Sequence, residues 1–279
     1  MVTGSTRRIL LLAGCLIAAY FFAPALLLRF ALDRFMLPSV DGGVTHEDRL
    51  IDVPVAAGRF VRIRQYGGNE LPHCVIFFPG QHGGIATYEQ TLFPNIQNLG
   101  IAVYALSYSG QDGARGRSHS ATLIEDVNTS LASINHETSC QPGNAVFVGR
   151  SLGSVVALVE AQRVRPKGLL LDGVPSTLTT GIKAALRRHI ATWPWTLLPV
   201  RSLVKNDFQL LPIIHSLRPT PIVIFQGVDD QVTPFVDTQS AVLGQDNVQF
   251  VAIPGATHTH AYLLAMPQYS KKLLELVGQ

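Results

Sequence analysis

Residues 145–153 read Ala145-Val146-Phe147-Val148-Gly149-Arg150-Ser151-Leu152-Gly153, and Ser154-Val155-Val156-Ala157-Leu158-Val159-Glu160-Ala161-Gln162-Arg163 follows directly. A short apolar run rich in valine ends in a serine between two glycines, and a stretch of helical composition begins at once. A G-x-S-x-G motif requires this order of strand, sharp turn and helix. Glycine allows the turn, and the serine hydroxyl then projects above the end of the strand. A serine in a glycine-rich turn means little by itself, so the flanking strand and helix patterns carry the inference.

Outward from this stretch, β-branched runs alternate with amphipathic ones, the signature of an α/β domain with a mostly parallel sheet. A hairpin is expected at 49–55 and 59–66. Further strands are expected at 74–78, 101–106, 145–148, 168–171, 222–225 and 248–253, apolar runs of the kind a sheet buried on both faces requires. Helical periodicity fills 88–99, 122–135, 152–163, 234–243 and 261–277. The stretch 173–219, with Trp193-Pro194-Trp195 and Leu198-Pro199, is too long for a plain loop and reads as a small helical cap over the sheet edge. These elements place one domain at 49–279.

Composition excludes whole classes. Of 279 residues, 47% are hydrophobic and 15% charged, which rules out a disordered chain. A net charge of +3 without a basic run gives no footprint for nucleic acid, and that partner is excluded. Cys15, Cys74 and Cys140 lack the spacing of a metal site and are too few for a disulfide scaffold.

The N-terminus carries a different signal. After a short segment 1–8 ending in Arg7-Arg8, residues 9–28 contain no charged side chain and suffice for a helix of about 30 Å, a bilayer's apolar thickness. An uncleaved transmembrane anchor is the first reading. A cleaved signal peptide and a lipoprotein signal at Cys15 are the alternatives; the apolar run continues well past Cys15 and exceeds the usual signal core of about 7 to 15 residues. Residues 29–48 then read as a linker. Basic residues on the two sides nearly balance, and an inside N-terminus with the domain outside the cytoplasm is the preferred orientation.

A serine hydroxyl becomes a useful nucleophile only when a histidine takes its proton and a carboxylate orients that histidine. Gly227-Val228-Asp229-Asp230-Gln231-Val232-Thr233-Pro234 follows the strand at 222–225, and Pro254-Gly255-Ala256-Thr257-His258 follows the last strand. The order Ser151, Asp, His258 is that of α/β-hydrolases and differs from the chymotrypsin and subtilisin orders. Asp230, Asp229 and Asp172, the last at the end of the strand at 168–171, all remain candidates for the acid. His46 and His260 read as solvated. Leu152, next after the nucleophile at a helix start, is expected to offer an N–H to a developing oxyanion.

With Gly149–Gly153, the loop around Asp230 and the loop ending in His258, the chain resembles the serine α/β-hydrolases, in particular a membrane-anchored group with an N-terminal hydrophobic anchor and a compact cap. The resemblance runs from about Arg34 to the C-terminus. It implies an α/β-hydrolase fold, with Asp230 as the acid and the Gln81 backbone as second oxyanion donor. Phe78-Pro79-Gly80-Gln81 stands where relatives carry F-H-G-N, and Tyr108-Ser109-Gly110-Gln111 lacks an arginine that relatives often have. The implied activity is hydrolysis of an ester, thioester or similar acyl bond through an acyl-enzyme, without cofactor or metal; a peptidase is less favoured. The alternative is a membrane-tethered, non-catalytic scaffold on the same fold. An anchor brings the domain near lipid-like substrates, and Trp193, Trp195, Leu197 and Leu198 are candidates to roof an acyl pocket or simply to form the underside of the cap.

In the strand order usual for this fold, the strands starting at Cys74 and near Asn144 are parallel neighbours. Cys140 lies one short turn before the second of them. Strand spacing of about 4.8 Å matches the Cα separation a disulfide needs, roughly 4.4–6.8 Å. A Cys74–Cys140 bridge is therefore one reading, and two ordinary buried thiols, the commoner state of free cysteine, are the other. Such a bridge suits a compartment outside the cytosol.

Overall fold

Runs of Val, Ile, Leu and Phe fit a pleated, buried surface, and they form eight strands: β1 (Arg49–Ala56), β2 (Arg59–Tyr66), β3 (His73–Phe78), β4 (Ile101–Ser107), β5 (Val146–Arg150), β6 (Gly168–Asp172), β7 (Ile222–Gly227) and β8 (Val248–Ile253). The computed structural model describes residues 4–43, 45–205 and 207–278. Of the expected N-terminal segment 1–8, residues 1–3 and the Arg7 side chain lie outside the described residues, as does Val44 of the expected linker.

The strands form one sheet in the order β1-β2-β4-β3-β5-β6-β7-β8. β1 pairs antiparallel with β2, and β2 with β4; every other pairing is parallel. From β3 the chain moves to one side to lay down β4, then returns to add β5 on the other side. The order therefore reverses between β3 and β5, and ligands of open α/β sheets bind outside the C-terminal ends of strands at such a reversal. The loops after β3 and after β5 meet there.

Side chains alternate between two buried layers, as the two-residue period of a strand demands. Ile76 and Phe78 of β3 and Phe147 of β5 join one layer with helices α5 (Ser120–Glu137), α6 (Leu152–Val164), α9 (Leu210–Ser216) and α10 (Phe235–Val242). Val75, Phe77, Val146 and Val148 face the other, with α3 (Ile85–Glu89), α4 (Phe93–Gln97), α11 (Ala261–Leu264) and α12 (Met266–Val277). Helices on both faces of a mostly parallel sheet give the expected α/β-hydrolase fold.

Two expected helices are each broken in two. The stretch 88–99 becomes α3 and α4, and 261–277 becomes α11 and α12. Pro94 and Pro267 explain both breaks, because each sits in the first turn of the second helix. Proline lacks an N–H and clashes with the preceding turn, so it starts a helix but does not continue one.

The cap comprises α7 (Leu178–Arg187), a 3₁₀ turn at Trp193–Leu197, α8 (Val200–Leu203) and α9. It follows β6, an interior strand, and α7 shares a cavity with Ser151, which stands at the end of β5.

Ahead of the sheet, α1 (Gly4–Phe30) has 27 residues, about 40 Å at 1.5 Å each. Its Arg8–Phe30 portion contains an 18-residue window with mean hydropathy 2.3 that is almost wholly exposed, so it is long and apolar enough to cross a membrane. The segment read as a linker is more than a tether. It contains α2 (Leu32–Met36), buries Leu37 in the core, and pairs Val40 with Gln111. Packing of the domain thus begins before residue 49.

Cys74 at the start of β3 is bonded to Cys140, with Cα atoms 5.9 Å apart. β3 and β5 pair from Val75 and Val146 onward, which brings the turn before β5 back to β3. Cys15 is free and exposed on α1.

Candidate active site

Ser151 stands between β5 and α6 with φ 53° and ψ −119°, a backbone conformation rarely adopted by a residue with a side chain. The flanking glycines serve another purpose. A Cβ on Gly153 would lie 1.9 Å from the Phe78 carbonyl oxygen, and one on Gly149 would lie 2.7 Å from the Ser154 Cα. Glycine here permits close approach of α6 to β3 and β5, while the strain of the turn falls on the serine. The Ser151 N–H donates to the Asp172 carbonyl at 2.8 Å and fixes the elbow.

His258 Nε2 is 2.9 Å from Ser151 Oγ, and His258 Nδ1 is 2.7 Å from Asp230 Oδ2. The acid and histidine loops pack tightly enough that a Cβ on Gly227 would meet the Ala256 carbonyl oxygen at 2.4 Å. Of the three candidate carboxylates, only Asp230 reaches the imidazole. Asp229 points to solvent, and Asp172 pairs with Arg150 at 3.2 Å. Asp230 Oδ1 accepts the N–H groups of Val232 (2.7 Å) and Thr233 (2.8 Å), and Oδ2 also accepts the Thr233 hydroxyl (2.6 Å) and the Gln226 amide (3.2 Å). Burial pushes this carboxyl up, but hydrogen bonds from His258 and Thr233 together with the charge of His258 outweigh it and hold the group below its ordinary value.

Three supporting residues escape a reading by motif. Gln226 bridges the acid loop to Val174, accepting its N–H at 3.1 Å, and Thr233 braces Asp230. Arg150, inside the elbow, donates to the His258 carbonyl at 2.8 Å and faces the Tyr262 ring. Its place in the motif was visible; its partner 108 residues away was not.

Asp172 is fully buried, and burial pushes its carboxyl up to about 6 against the pull of Arg150. When unfolded it titrates near 3.8. Between these values the folded chain holds a proton that the unfolded chain has lost, so this group's contribution to stability falls as pH rises from about 4 to about 6 and is level above. Asp172→Asn is expected to lack that slope. Urea midpoints at pH 4, 5, 6 and 7 check it: the stability difference, wild type minus variant, should decline to pH 6, and a constant difference contradicts the assignment.

The two expected oxyanion donors are neighbours of the nucleophile. Among the described residues, neither the Leu152 nor the Gln81 N–H donates to another protein group. The loop carrying Gln81 is held by Gln111, whose amide donates to the Gln81 carbonyl at 2.7 Å, and by the Tyr108 hydroxyl on the Pro79 carbonyl at 3.4 Å. Gln111 thus supports the loop beside the nucleophile. A cavity of about 430 Å³ opens above Ser151. Of the four candidate roof residues only Trp195 lines it; Trp193 and Leu197 face outward. Pro24, Leu27 and Leu28 of α1 and Met36 of α2 line it instead. No group of His, Cys, Asp and Glu among the described residues is arranged to hold a metal ion.

A mostly parallel sheet with a strained serine after its fifth strand, and an Asp and a His from loops after the last two, defines the α/β-hydrolase fold. No protein-family model matches the chain. It is 22% identical to the Arabidopsis thaliana α/β-hydrolase domain-containing protein WAV2 over 240 residues, 81% of this chain and 78% of that protein. It is also 22% identical to Escherichia coli K12 YfhR over 162 residues, and that match spans about half of YfhR, 54%. The Pyrococcus furiosus esterase Pf2001 superposes with a TM-score of 0.69 at 14% identity, over 86% of this chain and 95% of that one. An α/β-hydrolase from Vibrio vulnificus gives 0.66 at 17% identity, over 82% and 81%.

Proposed function

We propose that the protein is a serine hydrolase that cleaves an ester, thioester or similar acyl bond. Esterases and hydrolases among its structural neighbours support the broad class. The observation that carries the finer reading is the continuous hydrogen-bonded line from Ser151 through His258 to Asp230. As Ser151 Oγ attacks the acyl carbon, His258 Nε2 takes its proton, and Nδ1–H keeps donating to Asp230, which steadies the imidazolium. The oxyanion lies against the N–H groups of Leu152 and Gln81. His258 then gives its proton to the leaving oxygen or sulfur, and an acyl-Ser151 ester remains. Water, deprotonated by His258, attacks that ester and releases the acid, restoring the serine.

The apolar portion of α1 is the anchor in this reading, with the catalytic domain outside the cytoplasm. The Cys74–Cys140 bond supports that side, since cytosolic thiols are kept reduced.

A fluorophosphonate probe tests the nucleophile. Wild type is expected to label covalently and Ser151→Ala to remain unlabelled. Absence of label on folded wild type overturns the reading and leaves the non-catalytic scaffold in its place.

A further inference from the structure

We propose that α1 is a working wall of the active site, and that it admits a long-chain acyl ester or thioester to Ser151 directly from the bilayer. The inference rests on the hydrolase and anchor readings above and adds the substrate class. On one side the cavity over Ser151 is bounded by Pro24, Leu27 and Leu28 of α1, and on the other by Ile182 and Leu186 of α7. At about 430 Å³ it lies toward the small end of ligand pockets, ~300–1,000 Å³, a size that suits one acyl chain better than two.

Depth follows from where the cap grips the helix. The Tyr20 ring lies 5.5 Å from that of Trp195, and its hydroxyl donates to the Ala191 carbonyl. Residues 9–19 therefore form the only apolar part of α1 below the cap contact, about 17 Å at 1.5 Å per residue. A hydrocarbon core is about 30 Å thick. If α1 crosses it, the half of the helix from Tyr20 onward is still at membrane depth, and the cap and cavity are seated there with it.

The outer face of the cap fits that position. Ile190 is 94% exposed, Leu197 77% and Trp193 55%, side chains that would otherwise meet water beside an apolar helix. Tryptophan with apolar neighbours is the composition of a membrane interface. An acyl chain passing from the leaflet between α1 and α7 meets a mainly apolar lining, with Arg188 at the end of α7 and Gln81 and His82 beside the nucleophile among its polar members, before its carbonyl reaches Ser151.

The test uses the full chain in vesicles of dialkyl-ether phosphatidylcholine, which offer no ester of their own. Monopalmitoylglycerol and an S-palmitoylated peptide are presented in the vesicles, and p-nitrophenyl acetate in water. Wild type is expected to favour a palmitoyl substrate: the glycerol ester if the source is lipid, the peptide if it is acylated protein. Leu27→Trp and Leu28→Trp, which fill the cavity, are expected to lower the ratio of palmitoyl to acetyl kcat/KM by about tenfold or more, the scale at which pockets discriminate a misfit. Leu26→Trp, on the same turn but outside the cavity, should keep the wild-type ratio. Ratios for both cavity variants within twofold of wild type, or a wild-type preference for acetate, overturn the proposal. Absence of turnover and of fluorophosphonate labelling in wild type rejects the hydrolase reading itself, and release of the protein from membranes by alkaline carbonate rejects the anchor.

Discussion

Asp230→Asn is expected to lower kcat on p-nitrophenyl acetate by about 10⁴-fold, and Ser151→Ala and His258→Ala by about 10⁶-fold. Asparagine keeps the shape of the acid but offers an N–H where His258 Nδ1 needs an acceptor, so the imidazole is held in the wrong tautomer. Serine and histidine act as one unit, and losing either removes nearly the whole advantage. Asp172→Asn should stay within about tenfold of wild type, because Asp172 reaches the histidine only through Arg150, which holds the His258 carbonyl. Steady-state kinetics on the four variants decide the matter. Near-normal turnover in Asp230→Asn beside a collapse in Asp172→Asn would reverse the assignment of the acid.

Removing the disulfide is expected to have the largest effect on stability. The Cys74–Cys140 bond closes a loop with a sequence separation of 66, and the chain-entropy relation for a loop of that size gives about 4 kcal/mol. Cys74→Ala combined with Cys140→Ala should lower the unfolding free energy by about that amount, read from denaturant unfolding with m fitted for each protein, because the unlinked denatured chain is more expanded. Non-reducing peptide mass spectrometry of native membranes should recover the linked pair. Quantitative alkylation of both thiols before reduction would show the bond absent and remove the support it lends to a domain outside the cytoplasm.

Much of the architecture was legible along the chain. The strands from β3 to β8 announced themselves as apolar runs, because a sheet covered on both faces selects Val, Ile, Leu and Phe, whereas β1 and β2 showed as β-branched stretches interrupted by charged residues around a glycine turn. The elbow was legible for a local reason too: strand, glycines, serine and helix are contiguous. Errors in the helices were likewise local, since periodicity alone ran through Pro94 and Pro267 while proline chemistry breaks the helix at both. The cap was legible as an insertion, while the residues it shares with the Ser151 cavity depend on where the end of β6 lies in the sheet.

The amino-acid sequence by itself determined the alternation that builds the parallel sheet, the serine turn, the order Ser, Asp, His and an apolar N-terminal helix. All of these are set by neighbours within a few residues, where backbone sterics and side-chain period act. Only the tertiary structure decided which carboxylate meets His258, since Asp172, Asp229 and Asp230 carry the same group and differ only in where β6 and β7 aim them. It alone paired Arg150 with the loop of His258 and brought α1, more than a hundred residues before Ser151, to the wall of the cavity. Such contacts depend on strand register, sheet order and the packing of helices on one another, and no local pattern records them.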